Sequence, residues 1–221
     1  MHFFVTVSAR AGRLILLSTA IVMLVSGCAS LPSSTPPGTA APSTTSARPY
    51  HEAIELSGRL SLRYEQNGAP QALDGKFIWS QTAAGEHIEL QTPFGQTLAT
   101  IEVTPQGATL VQNGRPPRSE ASVDALTANA LGWPLPIAGL RTWLQGFATD
   151  ARGAPYVASA SALGDDAFVN TVDGWLIHYT TWDGTESTDG APHPRRIDLQ
   201  RLTTQAGNIA LRIVLDAWQP R

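Results

Sequence analysis

The sequence predicts a single mainly β domain, α+β by virtue of a short helical insertion, and three observations carry that reading. Residues 54–64 (IELSGRLSLRY) alternate apolar and polar side chains almost without fault, the mark of a half-buried antiparallel strand. Residues 209–215 alternate again near the C-terminus. Between them, LGWPLPIAGLRTWLQGF (131–147) breaks the period of two, with Ile137, Leu140 and Leu144 at helical spacing.

In chain order, the first element is an address label. Arg10 and Arg13 precede a twelve-residue apolar run, LILLSTAIVMLV (14–25). That is short of the roughly 20 residues of a spanning helix and suits the core of a signal peptide. The run leads to Val25-Ser26-Gly27-Cys28, which holds the only cysteine of the 221 residues and resembles a bacterial lipobox. The resemblance implies cleavage after residue 27, a diacylglycerol on the Cys28 thiol and acylation of its amino group. The alternative is a plain secretory signal followed by a lone thiol. With Ala29 and not aspartate next, the familiar sorting rule implies the outer membrane. Residues 28–50 form the lipidated cysteine and its tether, rich in Pro, Ser and Thr. The 22 residues after the cysteine span on the order of 25 Å as a coil and about 70 Å as polyproline II.

Removing residues 1–27 takes two of the 15 basic residues and none of the 18 acidic ones, leaving 13 against 18 and a formal net charge of −5. Lys76 is the sole lysine. This balance argues against nucleic acid and against electrostatic docking to anionic lipid.

Residues 51–221 are the size of one ordinary domain. On the first strand Ile54, Leu56, Leu60, Leu62 and Tyr64 share one face, and Glu55, Ser57, Arg59, Ser61 and Arg63 the other. A turn at Asn67-Gly68 leads to a second strand with Leu73, Phe77 and Trp79. Ile88 and Leu90 mark a third strand, and Thr97, Ala99, Ile101 and Val103 a fourth. The link between those two, TPFGQT (92–97), reads as a type I turn with Pro93 second, Phe94 third and Gly95 fourth. A phenylalanine at a turn tip either folds back onto the domain or stands in water, and single exposed apolar residues are common. Ser122 is placed to cap a helix over Val123–Leu131, Pro136 to start a second helix and Gly146 to end it. Asn113-Gly114 and Asp173-Gly174 signal further hairpins. Composition favours the helical pair as a plug in a closed core over a lid on a cavity, although both use the same residues.

No catalytic constellation emerges. His51, His87, His178 and His193 lack metal-ligand spacing, and neither a G-x-S-x-G elbow nor a phosphate-binding loop occurs. Asp165-Asp166 reads as a solvated loop pair, and Asp124, Asp216 and Arg141 as caps or structural ion partners. No enzyme activity, metal or cofactor is expected.

Taken together, GRLSLRY (58–64), FIW (77–79), TPFGQTLA (92–99), LGWPLPIAGLRTWLQG (131–146) and the closing Asp216-Ala217-Trp218 resemble the outer-membrane lipoprotein receptor family, LolB, over residues 51–218. The resemblance implies an incomplete antiparallel β-barrel with a helical lid around a hydrophobic cavity. It implies a monomer that takes acylated lipoproteins from the periplasmic carrier LolA and, without nucleotide, inserts them into the inner leaflet of the outer membrane. Leu60, Leu62, Phe77, Trp79, Ile88, Leu90, Ile101, Leu140 and Leu144 become cavity or lid candidates. Pro93, Phe94 and Gly95 become a membrane-insertion loop, Phe94 standing where the family commonly has leucine. The rival readings are an envelope lipoprotein that binds free lipids, one that scaffolds a complex, and a hydrolase with an unrecognised carboxylate pair.

Overall fold

A computed structural model of the chain describes residues 48–162, 164–184 and 191–221. The signal segment, Cys28 and the tether up to residue 47 lie outside the described residues. The first half is a meander of β1 (Ile54–Gln66), β2 (Ala69–Thr82), β3 (Gly85–Gln91), β4 (Thr97–Thr104), β5 (Gly107–Gln112) and β6 (Arg118–Glu120). Two helices follow, α1 (Val123–Leu131) and α2 (Ile137–Trp143), then a separate small hairpin of β7 (Phe147–Thr149) and β8 (Pro155–Val157). After a 3-10 turn at Gly164–Ala167 come β9 (Phe168–Asn170), β10 (Leu176–Asp183), β11 (His193–Thr203) and β12 (Gly207–Pro220).

Ten strands form one antiparallel sheet in the order β6-β5-β4-β3-β2-β1-β12-β11-β10-β9. The first and last strands therefore pair at its centre, and β6 and β9 are its edges. The register lines up apolar residues across strands. One row runs Leu56, Trp79, Ile88, Ile101 and Leu110; another runs Ile177, Leu199, Leu211, Leu62 and Leu73. All but the partly buried Leu73 are in the core, where each fully buried side chain contributes about 1.5–3 kcal/mol. The alternation of β1 thus becomes the concave face of a strongly curved sheet.

Curvature has a local cause at the centre. A bulge between Ser57 and Gly58 leaves Asp216 of β12 without an opposite residue. A Cβ at Gly58 would lie 2.1 Å from the Val214 carbonyl oxygen, so only glycine permits this approach.

The sheet stays open and does not close into a barrel. α1 packs on β5 and β6, while α2 reaches the other side, where Tyr179 Oη of β10 donates to the Trp143 carbonyl at 3.2 Å. The helical pair so occupies the gap between the two edges. Its local signals behave as read: Ser122 Oγ accepts from Ala125 N, and Gly132 N donates back to Ala128 O. Asn67 and Gly68 both take positive φ (53° and 74°), the tight hairpin expected. Asn113-Gly114 differs. It sits in a wider loop, because Pro116 and Pro117 have no N–H to pair and the ladder ends at Leu110 and Arg118.

Candidate functional site

Between the concave face and the helices lies a cavity of about 100 Å³ lined by fifteen residues, all leucine, isoleucine, phenylalanine or tryptophan. β1 supplies Leu60 and Leu62, β2 Phe77 and Trp79, β3 Ile88 and Leu90, β4 Ile101, and the helical segment Leu140 and Leu144. Those nine are the side chains singled out from the sequence, and all nine line this one space. Leu73, Leu131, Leu135, Ile137, Leu211 and Ile213 complete it. The only polar side-chain atom among the lining residues, Trp79 Nε1, is committed to Gln81 Oε1 at 3.3 Å. Such a wall offers an occupant dispersion and water exclusion and no chemistry.

The two ends of the helical pair are held differently. β1 and β3 run the same way, so the β1–β2 turn and the β3–β4 turn lie at one end of the domain. Gln66 Nε2 donates to Leu131 O at 3.2 Å and Tyr64 packs on Trp133 at 5.5 Å, which places the α1–α2 junction at that end. Trp133 is 2% exposed, yet its Nε1 has no hydrogen-bond partner among the described residues. An unmet buried donor costs about 1–3 kcal/mol.

The opposite end carries a polar network. Gln145, at the end of α2, accepts from His51 N and donates to His51 O, both at 2.9 Å. Arg141 bonds Glu86, Glu52 and the Thr82 carbonyl. Burial alone would lower the Arg141 pKa, but the bond to Glu86 and its charge more than offset that. Arg48 donates to the carbonyls of Gln145, Gly146, Ala158 and Pro192, and its guanidinium lies over the rings of Phe147 and Trp182. The Gln145 and Gly146 carbonyls follow directly on the C-cap of α2, where a cation also complements the helix dipole. Sequence composition counts residues 48–50 with the tether, whereas Arg48 and Tyr50 are bonded into the domain, Tyr50 through Gln81. One charged residue in a Pro/Ser/Thr run carries no periodic signal that would reveal this.

At the other end, the 92–97 turn holds Phe94 out into solvent, 94% exposed. Gly95 N donates to Thr92 O at 2.9 Å, and Thr92 N to Gln96 O at 2.8 Å. Gly95 takes φ 87° and Pro93 precedes Phe94, so the tip is set by its backbone.

The remaining polar residues do not converge. Asp216 pairs with Arg59 on the outer face, and Asp124 is pushed above the usual carboxylate range by burial and by Asp173. Among the described residues no three His, Cys, Asp or Glu side chains gather as metal ligands, and no helix is long and apolar enough to cross a membrane.

An open β-sheet, two helices across its mouth and a cavity walled by apolar residues define a binding protein for apolar groups. A family model described as outer membrane lipoprotein LolB matches residues 52–218. The outer-membrane lipoprotein LolB of Cupriavidus taiwanensis is 36% identical over 216 residues, covering 96% of this chain and 99% of the relative. That of Ralstonia nicotianae is 40% identical over 166 residues, covering 72% and 77%. A solved LolA superfamily protein from Nitrosomonas europaea superposes with a TM-score of 0.42 and 7% identity over 79% of this chain and 89% of that one, a likeness that carries no argument. This chain belongs to the LolB family of outer-membrane lipoproteins.

Proposed function

We infer that the protein is the outer-membrane receptor that accepts acylated lipoproteins from the periplasmic carrier LolA and places them in the inner leaflet of the outer membrane. The observation that carries this is the cavity, whose lining is apolar throughout. A sixteen-carbon chain represents on the order of 12 kcal/mol of burial at about 0.8 kcal/mol per CH₂. Cargo with such chains has no useful aqueous path and passes from one apolar sleeve to the next. A difference of about 1.4 kcal/mol between carrier and receptor is enough to bias that exchange tenfold.

A cavity of about 100 Å³ is well below the roughly 300–1,000 Å³ of occupied ligand pockets. Acyl chains therefore enter only as the helices move off the sheet. Leu60, Leu62, Phe77, Trp79, Ile88, Leu90 and Ile101 form the fixed wall, and Leu140 and Leu144 the moving one. Cys28 carries the anchor, the tether keeps the monomeric domain near the bilayer, and Phe94, with Pro93 and Gly95 setting its turn, enters the leaflet where cargo leaves.

The test is handover. The chain from residue 29 is mixed with LolA loaded with a triacylated lipoprotein, and a pull-down asks which protein holds the cargo. Cargo on this chain supports the receptor; cargo left on a competent carrier refutes it, and extraction of bound free lipid would then point to a lipid-binding lipoprotein.

A further inference from the structure

The cavity wall can hold a hydrocarbon chain and nothing else, yet every acyl chain on a lipoprotein ends in a carbonyl. That carbonyl arrives at the mouth, where the chain meets its glyceryl-cysteine head. If it is carried out of water without a donor it is penalised like any buried polar group. Trp133 lies against that space without lining it: its indole is buried at the α1–α2 junction and comes within reach of a carbonyl as the junction lifts off the sheet. Its neighbours Leu131 and Leu135 both line the cavity. It packs on Tyr64, two residues beyond Leu62 on the same face of β1. It is 2% exposed, and its Nε1 is without a partner among the described residues. It also occupies the end of the helical pair that is tied to the sheet by neutral donors, Gln66 to Leu131 O and Asn129 to Glu120.

We propose that Trp133 Nε1 donates a hydrogen bond to an ester carbonyl of the cargo's diacylglyceryl group, a step that rests on the receptor reading above. Indole N–H is a donor only. An ester is an acceptor only, so the pair satisfies itself and leaves no new unmet group. An amide in the same place would bring an N–H for which the apolar wall has no acceptor. Trp133 is thus a specificity residue at the mouth: the wall selects for apolar chains, and the indole selects for chains that end in an ester. The N–H that is unmet in the closed state finds an acceptor in the cargo, which favours the loaded state over the closed one.

The test is a two-by-two comparison with the chain from residue 28 carrying Cys28→Ala, so that no acyl group of its own fills the cavity. The probes are a glyceryl-cysteine lipopeptide with two ester-linked sixteen-carbon chains and its dialkyl-ether twin, which lacks those carbonyls. The variant is Trp133→Phe. The reference chain is expected to bind the ester about tenfold more tightly than the ether, one neutral hydrogen bond's worth, and Trp133→Phe to lose that preference, binding the ester no more tightly than the ether. Packing lost with the smaller ring lowers both affinities together and leaves that ratio untouched. An ester preference that is absent from the reference chain, or that survives in Trp133→Phe, overturns the assignment. Failure of the reference chain to bind either probe removes the receptor reading itself, and this inference with it.

Discussion

The helical pair has one end that is bolted and one that is leaned against the sheet. At the α2 end, Gln145 grips the His51 backbone in both directions, Arg141 spans to Glu86 and Glu52, and Arg48 gathers four carbonyls. At the α1–α2 junction, contact is made by apolar surface and the Gln66 hydrogen bond, with Asn129 Nδ2 of α1 donating to Glu120 of β6 just before it. Hydrogen bonds to charged groups are directional and strong, whereas apolar contacts slide at little cost until area is lost. A roof fastened this way is expected to open at the junction and to hinge near residues 144–147. The junction lies at the same end of the domain as the exposed Phe94, so on the proposed function cargo would leave beside that side chain.

Four measurements bear on this contrast. The largest stability effect belongs to Arg141→Ala, which leaves Glu86, 10% exposed, without its cation. Chemical denaturation should show a loss of about 3 kcal/mol, with faster amide exchange along α2. Phe94→Glu should leave stability within about 0.5 kcal/mol and cargo acceptance intact, while insertion into liposomes falls about tenfold or more. Normal insertion by that variant would mean that the open end does not work through Phe94. Arg48→Ala removes several carbonyl contacts and should cost about 1.5 kcal/mol, raising exchange at residues 144–148 and not at 131–135. Gln66→Ala is the mirror case, costing under about 1 kcal/mol and raising exchange at 131–135 alone. Equal changes at both ends in the last two variants would show the helices lifting as one rigid body, and the contrast would fail.

What could be read from the chain, and what could not, follows the range of the interactions. The strand period of residues 54–64, the cap at Ser122 and the turn at Asn67-Gly68 are local signals, and each of those elements forms where expected. The nine side chains named for the cavity come from strand alternation and helical spacing, and they meet because the curved sheet brings their faces together. β11 was harder to see, since only Ile197 and Leu199 mark its buried face among four charged residues. The polar fastening of α2 was invisible for a different reason. Gln145 and Arg48 lie about a hundred residues apart and are joined only after folding, and no composition rule singles out either. Trp133 reads as one more core aromatic until its N–H is followed and found unmet. Arg141 read as a structural ion partner, and its partners prove to be Glu86 and Glu52 while Asp124 and Asp216 stand elsewhere.

The pairing of β1 with β12 has a consequence for how the molecule is made. Ile54 of the first strand lies opposite Pro220 of the last, so the central seam joins residues separated by nearly the whole domain. The meander from β1 to β6 can assemble from neighbours, but β1 keeps one edge open until the C-terminal strand arrives. Long-range pairings of this sort form late, and an unpaired central strand with an apolar face invites aggregation. A chain emerging into the periplasm is therefore most vulnerable just before its last fourteen-residue strand docks. Loss of β12 should leave a product that aggregates and not a smaller working receptor.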